Sequence, residues 1–280
     1  MIEVLLLKLV ATAAIVVGVS LAVGRLGPRL GGILAGMPVI LGPGYFFMLQ
    51  EQAPAFVRDA VLATLHALVA TLLFTVCFVV VAGRFSALRS IGLSILCWVP
   101  AALLFSGIPG GLGVAVLAYL LALGGAELIN RALSLDQPVV LARAGWLDLV
   151  LRGLLAGLLV SVATTLAARS GALLSGMLLG FPAGILTIAW TLHERYGAEV
   201  ARMAVSMTQR GMLSLIAFCS VSYLAVGRLP WGLVFLLSLA AAVAVSTLLF
   251  TVSRWRAQRL FPSSAVAAVD IQPRRDEPGA

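Results

Sequence analysis

Charged residues are scarce in this chain: only 11% of its 280 residues are Asp, Glu, Lys or Arg, while 61% are hydrophobic and the mean hydropathy is +1.10. This composition excludes an ordinary soluble domain, because nearly every stretch of about 20 residues is apolar enough to cross a bilayer. Sustained alternation with a period of two is also missing, and Leu and Ala dominate, which argues against strands. The sequence therefore predicts an all-α polytopic membrane protein.

Residues that perform catalysis or hold metal ions are also few. The chain has two histidines and three cysteines, and the cysteines lie inside apolar runs without the spacing of metal ligands (Cys77, Cys97 and Cys219). The segment His193-Glu194-Arg195 lacks the second histidine of a zinc-protease helix, and no phosphate-binding P-loop is present. We therefore expect neither an enzyme nor a bound metal or cofactor.

The basic residues indicate membrane topology rather than nucleic-acid binding. The net charge is +8, and 18 of the 19 basic residues are arginines scattered near the ends of apolar runs. A nucleic-acid surface would gather them on one polar face. The expected partners are the lipid bilayer and a small-molecule solute, with no nucleic acid and with a homodimer as one option for assembly.

Apolar runs interrupted by Gly, Pro and Arg predict nine transmembrane helices. Their approximate ranges are 4–23, 32–49, 56–82, 91–106, 113–134, 146–167, 171–192, 200–226 and 230–252. The first run lies close to the N-terminus, but it lacks the basic cluster of a signal peptide and is matched by a run deep in the chain. We therefore interpret it as a membrane helix.

The distribution of arginines predicts the orientation. If there are nine spans, eleven arginines of the connections and the tail lie on one side of the membrane. Three lie on the other side, namely Arg58, Arg169 and Arg228. The positive-inside rule then places the N-terminus outside and the C-terminus in the cytoplasm of a bacterial inner membrane. If the fifth run did not span, the same arginines would split six to eight and show no useful bias.

Residues 1–90 and 145–235 carry one pattern twice, without a gap and with a constant difference in residue number, which we call the repeat spacing. The matched positions are basic residues, glycines and prolines: Lys8 with Arg152, Arg25 with Arg169, Arg58 with Arg202, His66 with Arg210, Gly27 with Gly171, Gly32 with Gly176, Gly36 with Gly180 and Pro38 with Pro182. Because one extra helix separates the copies, the second copy must insert upside down, which predicts an inverted repeat. We expect helices 1–4 in residues 1–110, a linking helix and cytoplasmic loop in 111–144, helices 6–9 in 145–258 and a disordered cytoplasmic tail in 259–280.

The repeated unit resembles a small bacterial membrane protein. Residues 5–8 (Leu-Leu-Leu-Lys) with residues 31–38 (Gly-Gly-Ile-Leu-Ala-Gly-Met-Pro) are similar to the GlpM-like inner-membrane proteins, which are short four-helix proteins. Residues 149–152, 171–176 and 180–182 look like a second copy. The resemblance implies a fused, inverted pair of such units. It supplies no substrate and no functional residues.

Glycines and prolines inside two predicted spans indicate broken helices. Pro removes a backbone donor and Gly lets the chain unwind, and broken backbone in a membrane lines either protein or a water-filled cavity. Interrupted segments at matching places of two halves are typical of transporter sites. The predicted segments comprise Gly32, Gly36, Pro38, Gly42, Pro43 and Gly44 in the first half, and Gly176, Gly180, Pro182 and Gly184 in the second. The alternative is that small residues only allow close helix packing.

His66 and Arg210 are the candidate charged ligands. Each lies about ten residues into a long predicted helix, at a depth of roughly 15 Å. A charge there is costly unless it faces a partner or a cavity, so the two residues predict a site for an anion. The alternatives are an ion pair of Arg210 with Glu127 on helix 5 and a neutral His66 bonded to a neighbouring carbonyl.

Together these features predict a secondary transporter or exporter of a small anionic solute. His66 could also bind a proton near neutral pH and couple proton movement to transport. Two other functions stay open. One is a passive channel, and the other is a non-transporting scaffold for envelope polysaccharide or lipid machinery.

Overall fold

The computed structural model describes residues 2–25, 38–135, 146–165 and 167–260. In these ranges the chain forms helices joined by short connections. The helices are α1 (Ile2–Arg25), α2 (Leu41–Glu51), α3 (Pro54–Val81), α4 (Ala87–Ser106), α5 (Leu112–Ala132), α6 (Trp146–Thr165), α7 (Ala167–Gly180), α8 (Ala183–Tyr196), α9 (Ala198–Gly211), α10 (Leu213–Ala225) and α11 (Trp231–Leu260). The predicted tail lies outside the described residues from position 261 onward.

Seven helical segments of the described residues are long and apolar enough to cross a membrane. They are Glu3–Leu21, Pro54–Val81, Ala87–Ser106, Leu112–Ala132, Gly171–Tyr196, Ala198–Ala225 and Trp231–Ser253. The predicted span 146–167 is present as α6, whose apolar part, Leu149–Thr165, is shorter. The predicted span 32–49 lies partly outside the described residues. The prediction of an all-α, multi-pass membrane protein is therefore confirmed in its class, while the count of nine stays a prediction.

Two predicted spans are interrupted. The span 171–192 divides into α7 and α8 at Phe181-Pro182, where proline cannot supply the backbone N–H that would continue the helix. The span 200–226 divides into α9 and α10 at Met212, directly after Gly211, a residue with low helix propensity. The helix α3, at the matching place in the first half, is continuous over 28 residues.

The helix boundaries recur at the repeat spacing found in the sequence. The helices α1 and α6 begin at Ile2 and Trp146, α3 and α9 begin at Pro54 and Ala198, and α4 and α11 begin at Ala87 and Trp231. Each of these pairs has the repeat spacing. The ends of α3 and α10, at Val81 and Ala225, have it as well.

The helices α1 and α6 run antiparallel in close contact. A Cβ atom added at Gly157 would lie 2.6 Å from the Leu9 carbonyl oxygen, and one added at Gly153 would lie 3.2 Å from that of Ala13. Leu9 is equivalent to Gly153 in the repeat, and Ala13 is equivalent to Gly157. The two contacts are therefore the same contact made once from each half of the chain.

The long helices of the two halves show the same reciprocity. The Arg58 guanidinium near the start of α3 lies 4.6 Å from the ring centroid of Tyr223, near the end of α10. Arg202, near the start of α9, donates from Nε to the carbonyl oxygen of Val79, near the end of α3, at 2.7 Å. Arg58 is equivalent to Arg202 in the repeat, and Val79 is equivalent to Tyr223. The helix α3 therefore runs antiparallel to α9 and α10.

The helix α3 forms the centre of the bundle. Of its membrane-spanning window 72% is buried, against 17% for α1 and α5 and 22% for α11. The three poorly buried helices carry exposed leucines on their outer faces, as lipid-facing helices do. A site for a solute is therefore expected around α3 rather than around α1, α5 or α11.

Candidate functional site

In both halves of the chain a non-helical proline at the same position of the repeat precedes a helix. Pro38 is not helical and precedes α2 by two turn residues, and Pro182 directly precedes α8. The Gly42 N–H donates to the Pro38 carbonyl oxygen at 2.6 Å, and the Leu186 N–H donates to that of Pro182 at 2.8 Å. The two donors, Gly42 and Leu186, are equivalent in the repeat, and so are the two acceptors, Pro38 and Pro182. The same local turn therefore precedes a helix in each half, α2 in the first and α8 in the second.

The turns that precede α2 and α8 lie against each other. A Cβ atom added at Gly184 would lie 3.3 Å from Cδ1 of Ile40, and these two residues occupy equivalent positions of the repeat. Ile40 and Pro182 are the residues that precede α2 and α8, and neither helix start receives a side-chain hydrogen bond. Two helix N-termini, each with partial positive charge, therefore begin near this junction.

The sequence prediction for Gly42, Pro43 and Gly44 is corrected. These residues form the first turn of α2, not an interrupted segment. A proline fits there because the first turn has no partner for its N–H groups. A Cβ added at Gly44 would lie 2.5 Å from Leu179, so Gly44 serves packing. Gly32 and Gly36 lie outside the described residues.

Gly176 and Gly180 bring α7 into direct contact with α3. A Cβ at Gly176 would lie 2.2 Å from the Ala60 carbonyl oxygen, and one at Gly180 would lie 2.5 Å from the Cβ of Ala67. The two glycines lie in the helical part of α7, between the non-helical Gly171 and the break at Pro182. Their role in the structure is close packing, which is the alternative that the sequence left open.

Threonines of α3 bind the carbonyl groups of these glycines. Thr64 Oγ1 lies 2.8 Å from the Gly176 oxygen, and Thr71 Oγ1 lies 2.7 Å from the Gly180 oxygen. The Trp98 indole donates to Thr71 Oγ1 at 3.0 Å. The end of α7 would otherwise leave carbonyl groups unpaired in an apolar interior. Sequence reasoning missed these threonines, although their positions two turns apart on α3 placed them on one helix face.

Arg210 forms an ion pair with Glu127, through its Nε and one of its terminal nitrogens. The neighbouring Gln209 is bound by the same helix, α5: its carbonyl accepts a hydrogen bond from Tyr119 at 2.9 Å, and its side chain accepts one from Asn130 at 2.7 Å. These contacts fasten the end of α9 to α5. Arg210 therefore forms the ion pair with Glu127 that the sequence left open as the alternative, and an anion site at Arg210 and His66 stays a prediction.

His66 lines a cleft at the end of the bundle where α3 begins. The cleft has a volume of about 240 Å³, and its lining includes Asp59 from α3, Ser106 and Ile108 from the end of α4 and the residues after it, and Leu173 from α7. The imidazole is 3% exposed, and its Nε2 has no hydrogen-bond partner among the described residues. The predicted bond from His66 to a neighbouring carbonyl is therefore not present at Nε2.

A buried lysine pair near the same end was not predicted. Lys8 is 2% exposed, and its Nζ lies 2.6 Å from a carboxylate oxygen of Glu51. The ammonium group also lies 5.5 Å from the centroid of the Phe47 ring. Comparison of the repeats could not find this pair, because the position equivalent to Glu51 is Arg195.

Comparison with protein-family models, with curated proteins and with solved structures finds no match to this chain. Within the described ranges, no group of three or more His, Cys, Asp or Glu side chains could hold a metal ion. The fold alone defines the class: an all-α membrane protein with several spanning helices.

Proposed function

We propose that this protein is a secondary transporter of a small anionic solute, built as an inverted repeat in a bacterial inner membrane. In this arrangement the N-terminus is outside and the C-terminus is cytoplasmic. The first half and the second half are related by a pseudo-two-fold axis in the membrane plane, with α5 as the single crossing between them.

The observation that carries the proposal is the contact of Ile40 with Gly184. A contact between two equivalent positions of a repeat lies on the symmetry axis, because the symmetry operation exchanges its partners. The antiparallel contacts of α1 with α6 and of α3 with α9–α10 occur in reciprocal pairs, as the same symmetry requires. Broken helices that meet on the axis are the usual place of a solute site in transporters of this architecture.

The charge preference follows from the backbone at this junction. The helices α2 and α8 both begin there, and neither start has a side-chain cap. The partial positive charge at a helix N-terminus favours an anion such as a carboxylate or a phosphate. Arg210 supplies no such preference, because Glu127 neutralises its charge. In the proposed transporter the backbone N–H groups hold the anion.

A ligand screen by thermal shift tests this proposal. A ligand at 100 times its dissociation constant stabilises the folded protein by about 2.7 kcal/mol, which is readily measured. We expect one class among small carboxylates and phosphates to raise the melting temperature, and amines and neutral metabolites to leave it unchanged. The physical reason is the positive potential of the two uncapped helix starts.

The variant Gly184→Val places a side chain at the junction, toward Ile40, and should abolish the stabilisation. The matched control is Gly232→Val in α11, where an added Cβ has no neighbour within 4 Å. That variant should retain the ligand response. Absence of stabilisation by every compound in the wild-type protein would contradict a solute site and favour the scaffold function. Stabilisation with non-saturating flux in vesicles would favour a channel.

A further inference from the structure

The cleft beside His66 contains an unusual combination of burial and access. The side chain is almost fully buried, yet it lines an open cleft of about 240 Å³. The Nε2 atom is enclosed by protein and has no hydrogen-bond partner among the described residues, and such an unpartnered buried nitrogen costs roughly 1–3 kcal/mol. The cleft has room for water molecules, each of which occupies about 30 Å³ in the liquid.

Asp59 lies on the same face of α3 as His66, two helical turns nearer the end of the bundle. At 1.5 Å per residue, the two positions are separated by about 10 Å along the helix. Asp59 is exposed at the mouth of the cleft, and His66 lies deeper. A carboxylate at the mouth of a narrow cleft attracts cations, including hydrated protons, and disfavours anions.

The other ionisable groups near α3 are engaged elsewhere or lie away from the cleft. The lining from α4 contributes Ser106, and the lining from α7 contributes Leu173. On α2, Glu51 binds Lys8 and Tyr45 contacts Thr64. On α5, Glu127 binds Arg210 and Tyr119 donates to the Gln209 carbonyl. Arg202 of α9 binds Val79 and Glu199, and Tyr223 of α10 lies under Arg58. Cys219 of α10 is buried and Cys97 of α4 is half-buried. Arg89 of α4, Arg131 of α5 and Arg169 of α7 are exposed. Among the residues that line the cleft, the titratable group besides His66 is therefore Asp59.

His66 is also connected to the helix break. Its neighbour in the chain, Ala67, lies against Gly180, the last residue of α7 before the break at Pro182. The threonine two positions before His66 bonds to the Gly176 carbonyl of the same helix. A positive charge on His66 therefore raises the electrostatic potential close to the junction where α8 begins.

We infer that the cleft is a proton-uptake route, in which water carries a proton from the Asp59 mouth to the imidazole of His66. The proton adds to the neutral imidazole and gives an imidazolium, and it leaves the ring when the solute site opens to the other side. The positive charge favours an anion at the nearby junction. One proton accompanies one negative charge of the solute. This inference deepens the proposed function and rests on it, and it names the proton as the coupling ion.

Reaction of the histidines with diethyl pyrocarbonate tests the inference directly. This reagent modifies neutral imidazole from water, so both access and protonation control its rate. We expect His66 in the purified, unliganded protein to react within tenfold of the rate of His193, the second of the two histidines in the chain. We also expect its rate to rise with pH, because the reagent attacks only the neutral imidazole. Mass spectrometry of peptides gives both rates in one sample.

The second part of the test blocks the mouth of the cleft with a bulky label at position 59 and measures the labelling rate of His66. In a variant with Cys77, Cys97 and Cys219 replaced by alanine, Asp59→Cys is modified with a bulky maleimide. The labelling rate of His66 should then fall at least tenfold, while that of His193 should not change. Labelling of His66 more than tenfold slower than that of His193, or independent of pH, or unaffected by the blocked mouth, would overturn the inference. These outcomes need no solute, so they are separate from the ligand screen that tests transport.

Discussion

Replacement of Gly176 by alanine is expected to destabilise the protein by about 3 kcal/mol, the upper end of the range for overpacking. The added methyl group would lie 2.2 Å from the Ala60 carbonyl oxygen and 2.8 Å from the Cβ of Ala63. The carbonyl oxygen is part of the α3 backbone, and the Cβ atom is bonded directly to that backbone. Among the candidate spanning helices, α3 is the most buried. The helix α7 must therefore move away, and the contact of Thr64 with the Gly176 carbonyl is weakened with it.

The measurement is the free energy of unfolding in mixed micelles of a mild and a denaturing detergent. The matched control is Gly92→Ala in α4, where an added Cβ meets no atom within 4 Å. Alanine is the better helix former, so the control should be neutral or more stable by up to about 1 kcal/mol. Equal effects of the two substitutions would show that α7 does not pack on α3 as described.

Removal of the Glu127 carboxylate should destabilise the protein more than removal of the Arg210 guanidinium. Glu127→Gln leaves a guanidinium that cannot lose its proton, in the middle of a spanning segment, where an arginine costs about 2.5–3.5 kcal/mol. Arg210→Gln leaves a carboxylate that can become neutral by binding a proton, so its cost is smaller, about 1–2 kcal/mol. The Arg210 side chain is 53% exposed and that of Glu127 is 19% exposed. When the protein is in a membrane, the exposed part of Arg210 is in contact with lipid.

A double-mutant cycle measures the interaction of these two side chains. The variant Glu127→Gln with Arg210→Gln should lose less stability than the sum of the two single losses, because two glutamines carry no charge and can bond to each other. In the same unfolding assay we expect a coupling energy of about 2 kcal/mol, within the range for side chains in direct contact. Additive effects of the two substitutions would mean that the ion pair does not form in the membrane.

The sequence predicted the class of the fold because composition and helix length leave few choices in a membrane. The repeat spacing also predicted where helices begin, and Ile2 with Trp146 and Pro54 with Ala198 follow it. The proline positions predicted the break at Pro182 and the non-helical residue at Pro38. Proline acts locally through its missing N–H, so its effect can be read without knowledge of the neighbours.

Properties that depend on neighbouring helices were not predictable in the same way. Glycine either unwinds a helix or lets another helix approach, and only the position of Ala60 shows that Gly176 does the second. Arg210 and His66 occupy equivalent positions, but Arg210 meets α5, a helix without a repeat partner. A single helix between two copies necessarily breaks the symmetry. Comparison of the copies therefore cannot predict its contacts.

Opposite insertion of the two halves is the claim on which the transport proposal depends. Phe85 and Leu229 occupy equivalent positions of the repeat, and both are exposed in the connections after α3 and α10, at 43% and 41%. Phe85→Cys and Leu229→Cys, each in the background without native cysteines, can be labelled in spheroplasts with a membrane-impermeant thiol reagent. The account predicts labelling of Leu229→Cys from outside and of Phe85→Cys only in inside-out vesicles. Labelling of both positions from the same side would contradict the inverted repeat and the transport mechanism that we derive from it.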